Sequence, residues 1–202
     1  MSNPTRISNY AIGHLGQTKL ITNFDTDKSD VANVCRLWYV QARDEVQRDF
    51  IHPFSSECET LSLVETNPNN EWTYSYRYPS NCLMFRRILS GIRHDTHQSR
   101  IPYKIGKDSN GRLIFTDQPD AEGEKTAIVT DLSLWPVDVQ QALSLLLATY
   151  IAPSVVDGGD TNKLGERALR LYLIQKTKAE ANAANEEQAD QTPESEAIRS
   201  RR

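Results

Sequence analysis

The segment "WYVQARDEVQRDFIHPF", Trp38 to Phe54, joins two hydrophobic periods and sets the fold. Val31, Cys35, Trp38, Ala42 and Val46 recur every three or four positions, and Phe50 continues the row. That spacing predicts an amphipathic helix with one apolar stripe. Arg36, Arg43, Asp44, Gln47 and Arg48 fall elsewhere on the wheel. Asp44 precedes Arg48 by one helical turn, the favourable order for a surface pair worth about 0.3 kcal/mol. The cluster Arg43, Asp44, Glu45, Arg48 and Asp49 therefore reads as a solvated or partner-facing helix side. The competing reading is catalytic, and it requires a convergent pocket with perturbed acids.

After Pro53 the period falls from 3.6 to 2. In "WTYSYRY", Trp72, Tyr74, Tyr76 and Tyr78 share one face, with Thr73, Ser75 and Arg77 on the other. "CETLSLVE" (Cys58–Glu65) is also strand-like, and "TNPNNE" between the two is a turn mixture, so a hairpin is expected. "CLMFRRIL" (Cys82–Leu89) is a third strand. "IPYKIGKDSNGRLIFTD" (Ile101–Asp117) reads as a second hairpin around Asn110-Gly111, residues that tolerate positive φ. "KTAIVTD" (Lys125–Asp131) is the last strand. The aromatic ladder is expected in a core or at a subunit contact. Stacking on single-stranded nucleic acid or sugar is the alternative, but no Lys/Arg stripe accompanies it.

Helical patterns flank this region. Upstream, Ile7, Tyr10, Ala11 and Leu15 stand at helical spacing and Gly16 suits the helix end. In "NFDTDKSD", Asp27 and Asp30 place carboxylates at the positive end of the next helix. Downstream, Pro136 suits a first turn. Val139, Ala142, Leu143, Leu146, Leu147, Tyr150 and Ile151 predict the most buried helix, weakening at Pro153. "DGGD" (Asp157–Asp160) is a loop, and Asp160 or Thr161 caps a final helix carrying Leu164, Ala168, Leu171, Tyr172 and Gln175.

Helices from the two ends can bury their stripes only against one another. The expected fold is α+β: an up-and-down α-helical bundle with an inserted β-rich antiparallel subdomain and a flexible C-terminal tail. The expected boundaries are 1–54 and 133–180 for the bundle, 55–132 for the insertion and 181–202 for the tail. The tail has no aromatics. It carries Glu186, Glu187, Asp190, Glu194 and Glu196, then Arg199, Arg201 and Arg202, a composition that orders on a partner if at all.

A chain of 202 residues points to one domain with an insertion and buries roughly 70% of its unfolded surface. A net charge of −4 argues against gripping nucleic acid through its phosphates, and leaves room for a channel through which DNA slides. Cys35, Cys58 and Cys82 form no CxxC, so neither a disulfide framework nor a zinc site is expected, and a reduced compartment is the default. "ALSLLLATYIA" (Ala142–Ala152) is too short to span a bilayer, and "MSNPTRISNY" lacks the pattern of a signal peptide. "GHLG" (Gly13–Gly16) lacks the Lys-Ser/Thr of a phosphate loop. His94, Asp95 and His97 lack a third well-placed metal ligand, and Asp157 with Asp160 lacks the rest of a calcium loop. No catalytic residue, cofactor or metal is expected.

Three blocks then carry a resemblance: "AIGHLGQTKLITNFDTD" (Ala11–Asp27), "CRLWYVQARDEVQRDFIHPF" (Cys35–Phe54) and "YSYRYPSNCLMFRRI" (Tyr74–Ile88). With "WPVDVQQALSLLLATYIA" (Trp135–Ala152) and a helix through Lys178, they resemble, in order and spacing, the head-to-tail adaptors of short-tailed bacteriophages, the tail tubular protein A family. The resemblance covers residues 7–178. It departs at Gln47, where members often have Leu, and at Phe54, where a tryptophan is usual; the segment beyond Lys178 has no counterpart.

The resemblance implies a structural connector, not an enzyme. It implies a helical bundle with a β insertion, assembled as a twelve-fold ring between the portal protein and the tail nozzle protein. Genomic DNA passes through the lumen without sequence-specific binding. In such proteins the C-terminal helix and tail reach the portal, and the β part faces the nozzle, with a tail fibre as a further candidate partner. The expected location is the virion, at the head–tail interface, after assembly in the host cytoplasm. Arg199, Arg201 and Arg202 are expected to contact acidic groups on the portal. Arg43, Asp44 and Arg48 are expected at subunit contacts.

The alternatives are a virion-associated peptidoglycan hydrolase and a nucleic-acid-binding module. For the hydrolase, Glu45 with Asp49 is the only tempting pair, and two acids one turn apart on one helix stand too close to flank a glycosidic bond. For the binding module, the acidic balance counts against it.

Overall fold

The computed structural model describes residues 3–49, 52–92, 99–156 and 161–186. Phe50, the His94/Asp95/His97 cluster, the Asp157–Asp160 loop, which includes the candidate cap Asp160, and Arg199, Arg201 and Arg202 lie outside the described residues. The fold is α+β, with helices at both ends and strands between.

Helix α1 (Pro4–His14) starts at Asn3, whose Oδ1 accepts the Arg6 N–H at 2.9 Å, with Pro4 in the first turn. Gly16 at φ +73° ends it: the Gly16 and Gln17 N–H groups close back on the Gly13 and Ile12 carbonyls. Helix α2 (Asp30–Asp49) is capped by Ser29, whose Oγ accepts the Ala32 N–H. Asp27, expected as a carboxylate at the positive end of this helix, staples the preceding loop. It accepts the Ser29 and Thr22 N–H groups, both at 2.9 Å, and these bonds hold its carboxyl far below the usual range.

Helix α3 (Val137–Val155) is the buried centre of the bundle, as its apolar face predicts. Leu143, Leu147, Ala148 and Ile151 are sealed from solvent, and Pro153 sits inside a final turn that runs on to Val155. Helix α4 (Thr161–Glu186) packs on α3 through Ala168, Tyr172, Gln175 and Ala179. That alternating spacing of four and three is a coiled-coil seam. The Gln175 amide donates to the Asp138 carbonyl and the Asn182 amide to the Asp138 carboxylate, so α4 runs antiparallel to α3. Two expectations change here. Leu171 is exposed, off the seam. The helix also continues past 180 to Glu186, because Ala179 is buried and Asn182 is anchored.

Between α2 and α3 lie seven strands in two antiparallel sheets: β1 (Ser56–Thr60), β2 (Leu63–Thr66), β3 (Tyr74–Arg77), β4 (Cys82–Ile88), β5 (Lys104–Asp108), β6 (Gly111–Thr116) and β7 (Glu122–Ala127). One sheet has the order β1-β7-β4 and the other β2-β3-β6-β5. Cys58–Glu65 is thus two strands in different sheets, not one. The break comes where Leu61 turns into the core and its N–H finds the Ala121 carbonyl. The last strand lies earlier than Lys125–Asp131. Both expected hairpins form, and in the second Gly111 takes the positive φ while Arg77 grips Asp108 through two 2.9 Å bonds.

A separate core of Leu61, Tyr76, Tyr78, Phe85, Ile88 and Ile114 lies between the sheets. The tyrosine ladder is therefore interior. Tyr76 gives its hydroxyl to the Gln118 carbonyl, and Tyr78 accepts the Phe85 N–H. Trp72 falls before β3 and is only half-buried.

Gly123 on β7 lies beneath the Phe85 ring, where an added Cβ would stand 2.4 Å from Phe85 Cε2 and 2.7 Å from its Cζ. Phe85 is itself held edge-on by Tyr103, with ring centroids 5.0 Å apart. Gly123→Ala is expected to destabilise by about 1–3 kcal/mol by overpacking, read as a lower denaturation midpoint at unchanged slope.

Candidate functional site

The inner face of α2 is Ala32, Cys35, Tyr39, Ala42 and Val46, with Val31 and Trp38 at its margin. The stripe is turned slightly from the expected one, and Gln47 lies inside it at 0% exposure. The Gln47 Oε1 accepts the Val129 N–H at 2.7 Å, which ties the last turn of α2 to the chain leaving β7. Polarity had placed Gln47 on the wet side. The unpaired N–H of a residue just past a strand end is what draws a buried amide there.

Glu45 and Asp49, the pair that suggested a hydrolase, each hold a tyrosine from another helix. Tyr150 of α3 donates its hydroxyl to Glu45, and its ring stacks on Trp38 at 5.4 Å. Tyr172 of α4 donates to Asp49, which also meets Lys176 at 2.9 Å. Burial first, then the neighbouring carboxylate, pushes the Tyr150 phenol up to about 12 and the Tyr172 phenol higher still. The two acids thus clamp three helices together.

Arg43 pairs with the adjacent Asp44 at 2.7 Å. The expected Asp44–Arg48 pair is not the one formed. Arg48 is exposed, and its carbonyl accepts an Arg86 Nη2 hydrogen bond from β4 at 3.4 Å. Asp44 and Arg48 lie on the outward side of α2, and the same side carries Leu37 at 71% and Val40 at 51% exposure. An open groove of about 750 Å³ continues it towards β4, lined by Gln41, Asp44, Arg48, Leu83, Met84 and Arg86, with Glu45 and Asp49 also on its wall. Arg43 sits at the edge of this side, half-buried. On α4, Leu173 and Ile174 also face outward. Apolar side chains beside charged ones, on the outside of two helices, are the composition of a protein-binding surface.

No protein-family model matches the chain, and no curated protein matches it.

Among the described residues no group of three His, Cys, Asp or Glu side chains could hold a metal. The three cysteines are free, with Cys35 and Cys82 buried and Cys58 exposed. No described helix is long and apolar enough to cross a membrane. His14 lies 3.3 Å from the Ser144 hydroxyl, but that hydroxyl is fully buried and donates to the Gln141 carbonyl of its own helix.

His52 sits where α2 gives way to the β region, 1% exposed, donating from Nε2 to the Val46 carbonyl and packed on Phe54. Burial lowers its pKa to about 4, with Asp138, Asp49 and the Val46 carbonyl opposing and Arg86 assisting. The folded state therefore binds this proton less readily than the unfolded chain. Its contribution is full above pH 6.5 and is lost as pH falls towards 4, by about 3 kcal/mol across the window. His52→Gln is expected to flatten the fall in unfolding midpoint between pH 7 and pH 4.5 relative to the wild type.

Proposed function

We propose that this chain is the subunit of a structural head-to-tail adaptor of a short-tailed phage, assembled as a ring between portal and tail nozzle, with genomic DNA passing through the lumen. The observation that carries the reading is the outer side of α2, where exposed Leu37 and Val40 adjoin Asp44 and Arg48. A ring requires each subunit to present one surface to a different surface of its neighbour. The α2 side is one such surface, and the outward apolar residues of α4 supply a second. Arg48 and Asp44 lie at the subunit contact, with Arg43 at its edge.

Three further points support the reading. The β unit is inserted between helices that share one core, the architecture the resemblance implies. The net charge of −4 suits a passage along which DNA slides. Glu45 and Asp49 each hold a tyrosine of another helix, a structural engagement that favours the connector reading over the hydrolase alternative. In this reading the protein resides in the virion at the head–tail interface, after assembly in the host cytoplasm. The β region meets the nozzle protein, and a tail fibre is a further partner.

Arg199, Arg201 and Arg202 contact acidic groups of the portal. Deleting residues 199–202 is expected to weaken portal binding at least tenfold, about 1.4 kcal/mol, and to make the remainder less salt-dependent. Unchanged binding and salt dependence would remove these arginines from the interface.

A further inference from the structure

Helix α4 carries two rows at heptad spacing. Ala168, Tyr172, Gln175 and Ala179 form the buried seam on α3. Arg167, Leu171, Ile174 and Lys178 each precede a seam residue by one position, a rotation of about 100° round the helix. All four are exposed, Leu171 at 38% and Ile174 at 62%. Helix α2 carries the same pattern on its outward side, where Asn33, Leu37, Val40 and Asp44 repeat the spacing of four, three and four. In each row two aliphatic residues are bracketed by polar ones, the core-and-rim order of a protein contact. Both Arg43 contacts fall on Asp44 Oδ1, from Nε at 2.8 Å and Nη2 at 2.7 Å, and a carboxylate has a second oxygen to offer.

The charges at the row ends decide which row meets which. The α4 row against a copy of itself would oppose cations in either direction: Arg167 to Lys178 when antiparallel, each to its own copy when parallel. The α2 row against itself would set Asp44 against Asn33 or against another Asp44, with no opposite charge. The α2 row against the α4 row differs. With Leu37 and Val40 interleaved with Leu171 and Ile174, Asp44 meets Lys178 when the helices run parallel and Arg167 when they run antiparallel. The mixed pairing is thus the one with complementary charge in both directions. Within one subunit α2 and α4 are already joined on another side, by Tyr172 and Lys176 to Asp49, so a second copy must supply the opposing row.

We infer that the outward row of α2 in one subunit docks on the outward row of α4 in a second copy. Leu37 and Val40 pack on Leu171 and Ile174, and Asp44 pairs with Arg167 or Lys178 at the rim. The inference rests on the ring reading, for it names the two surfaces that the ring contact joins. Every chain carries both rows, so the contact passes from copy to copy.

A mixed-chain experiment tests it, using full-length protein, the portal protein of the same genome and sedimentation velocity. One chain carries Asp44→Lys and the other Arg167→Glu/Lys178→Glu. Alone, the first opposes cation to cation and the second carboxylate to carboxylate, and each is expected to assemble about tenfold more weakly than the wild type, or worse. Mixed in equal amounts the two chains alternate, every contact regains an opposite charge, and assembly is expected to return to near the wild-type strength. Thermal melts verify that each variant is folded. Leu171→Ala/Ile174→Ala, which adds no charge and spares the α3 seam, is a second variant, with an expected loss of about tenfold that neither charge variant restores. Charge variants that assemble as well as the wild type would overturn the pairing and leave the ring reading standing. So would a loss in both folded variants that mixing does not restore. Wild-type protein that forms no assembly on the portal would overturn the ring reading and the pairing together.

Discussion

Leu37→Asp/Val40→Asp is expected to leave the subunit folded and to weaken the proposed ring assembly by a hundredfold or more. Both side chains are exposed on the isolated chain, at 71% and 51%, so no core is disturbed. Burying one aliphatic side chain contributes about 1.5–3 kcal/mol, and each 1.4 kcal/mol is a factor of ten in an association constant. The substitution also leaves a carboxylate in a desolvated contact. Arg48→Glu on the same outward side is expected to act in the same direction by a smaller amount, because a rim charge is partly screened. The check is sedimentation velocity in the presence of portal protein, alongside a thermal melt of each variant. Assembly equal to the wild type would take this surface out of the interface. A collapsed melt would make Leu37 and Val40 structural.

Tyr172→Ala is expected to destabilise the bundle by about 3–5 kcal/mol, the range for deleting a buried aromatic. Tyr172 is nearly sealed, lies in the α4 seam and donates its hydroxyl to Asp49 on α2. Its removal opens a cavity and takes a neutral donor from a carboxylate that keeps Lys176 as its partner among the described residues. For a chain of this length the melting temperature should fall by on the order of 10 °C. Tyr172→Phe keeps the ring and isolates the hydroxyl, with an expected loss of about 1–3 kcal/mol. Leu171→Ala, one position off the seam and exposed, should change stability by less than about 1 kcal/mol and serves as the control. Equal effects at 171 and 172 would mean that α4 is not packed through the heptad seam.

Hydrophobic period made much of this fold legible. The α3 face, the Gly16 stop, the two hairpins and the interior tyrosines all follow from local pattern and turn chemistry. The misreadings share one cause: a distant partner overrides the local signal. Gln47 is polar in sequence and buried in the fold because Val129, far along the chain, offers it an N–H. Asp27 is placed by sequence at the positive end of α2, but its carboxylate is drawn into the loop by Thr22 and Ser29. Glu45 and Asp49 look like a carboxylate pair because the tyrosines that occupy them come from α3 and α4. Alternation could not reveal that Leu61 breaks one expected strand into two, since an inward turn and a continued strand share the same polarity pattern. The outward side of α2 was legible only as charge. Leu37 and Val40 add the apolar half of the surface, because the inner stripe is turned away from them.

The central claim is that this chain forms a ring on a portal. It is tested most directly by co-sedimenting the full-length protein with the portal protein of the same genome and imaging the product end-on and from the side. The account predicts a stoichiometric second ring stacked on the portal, with its lumen continuous with the portal channel. Full-length protein that remains in the supernatant at micromolar concentrations of both partners, with its fold intact, would contradict it.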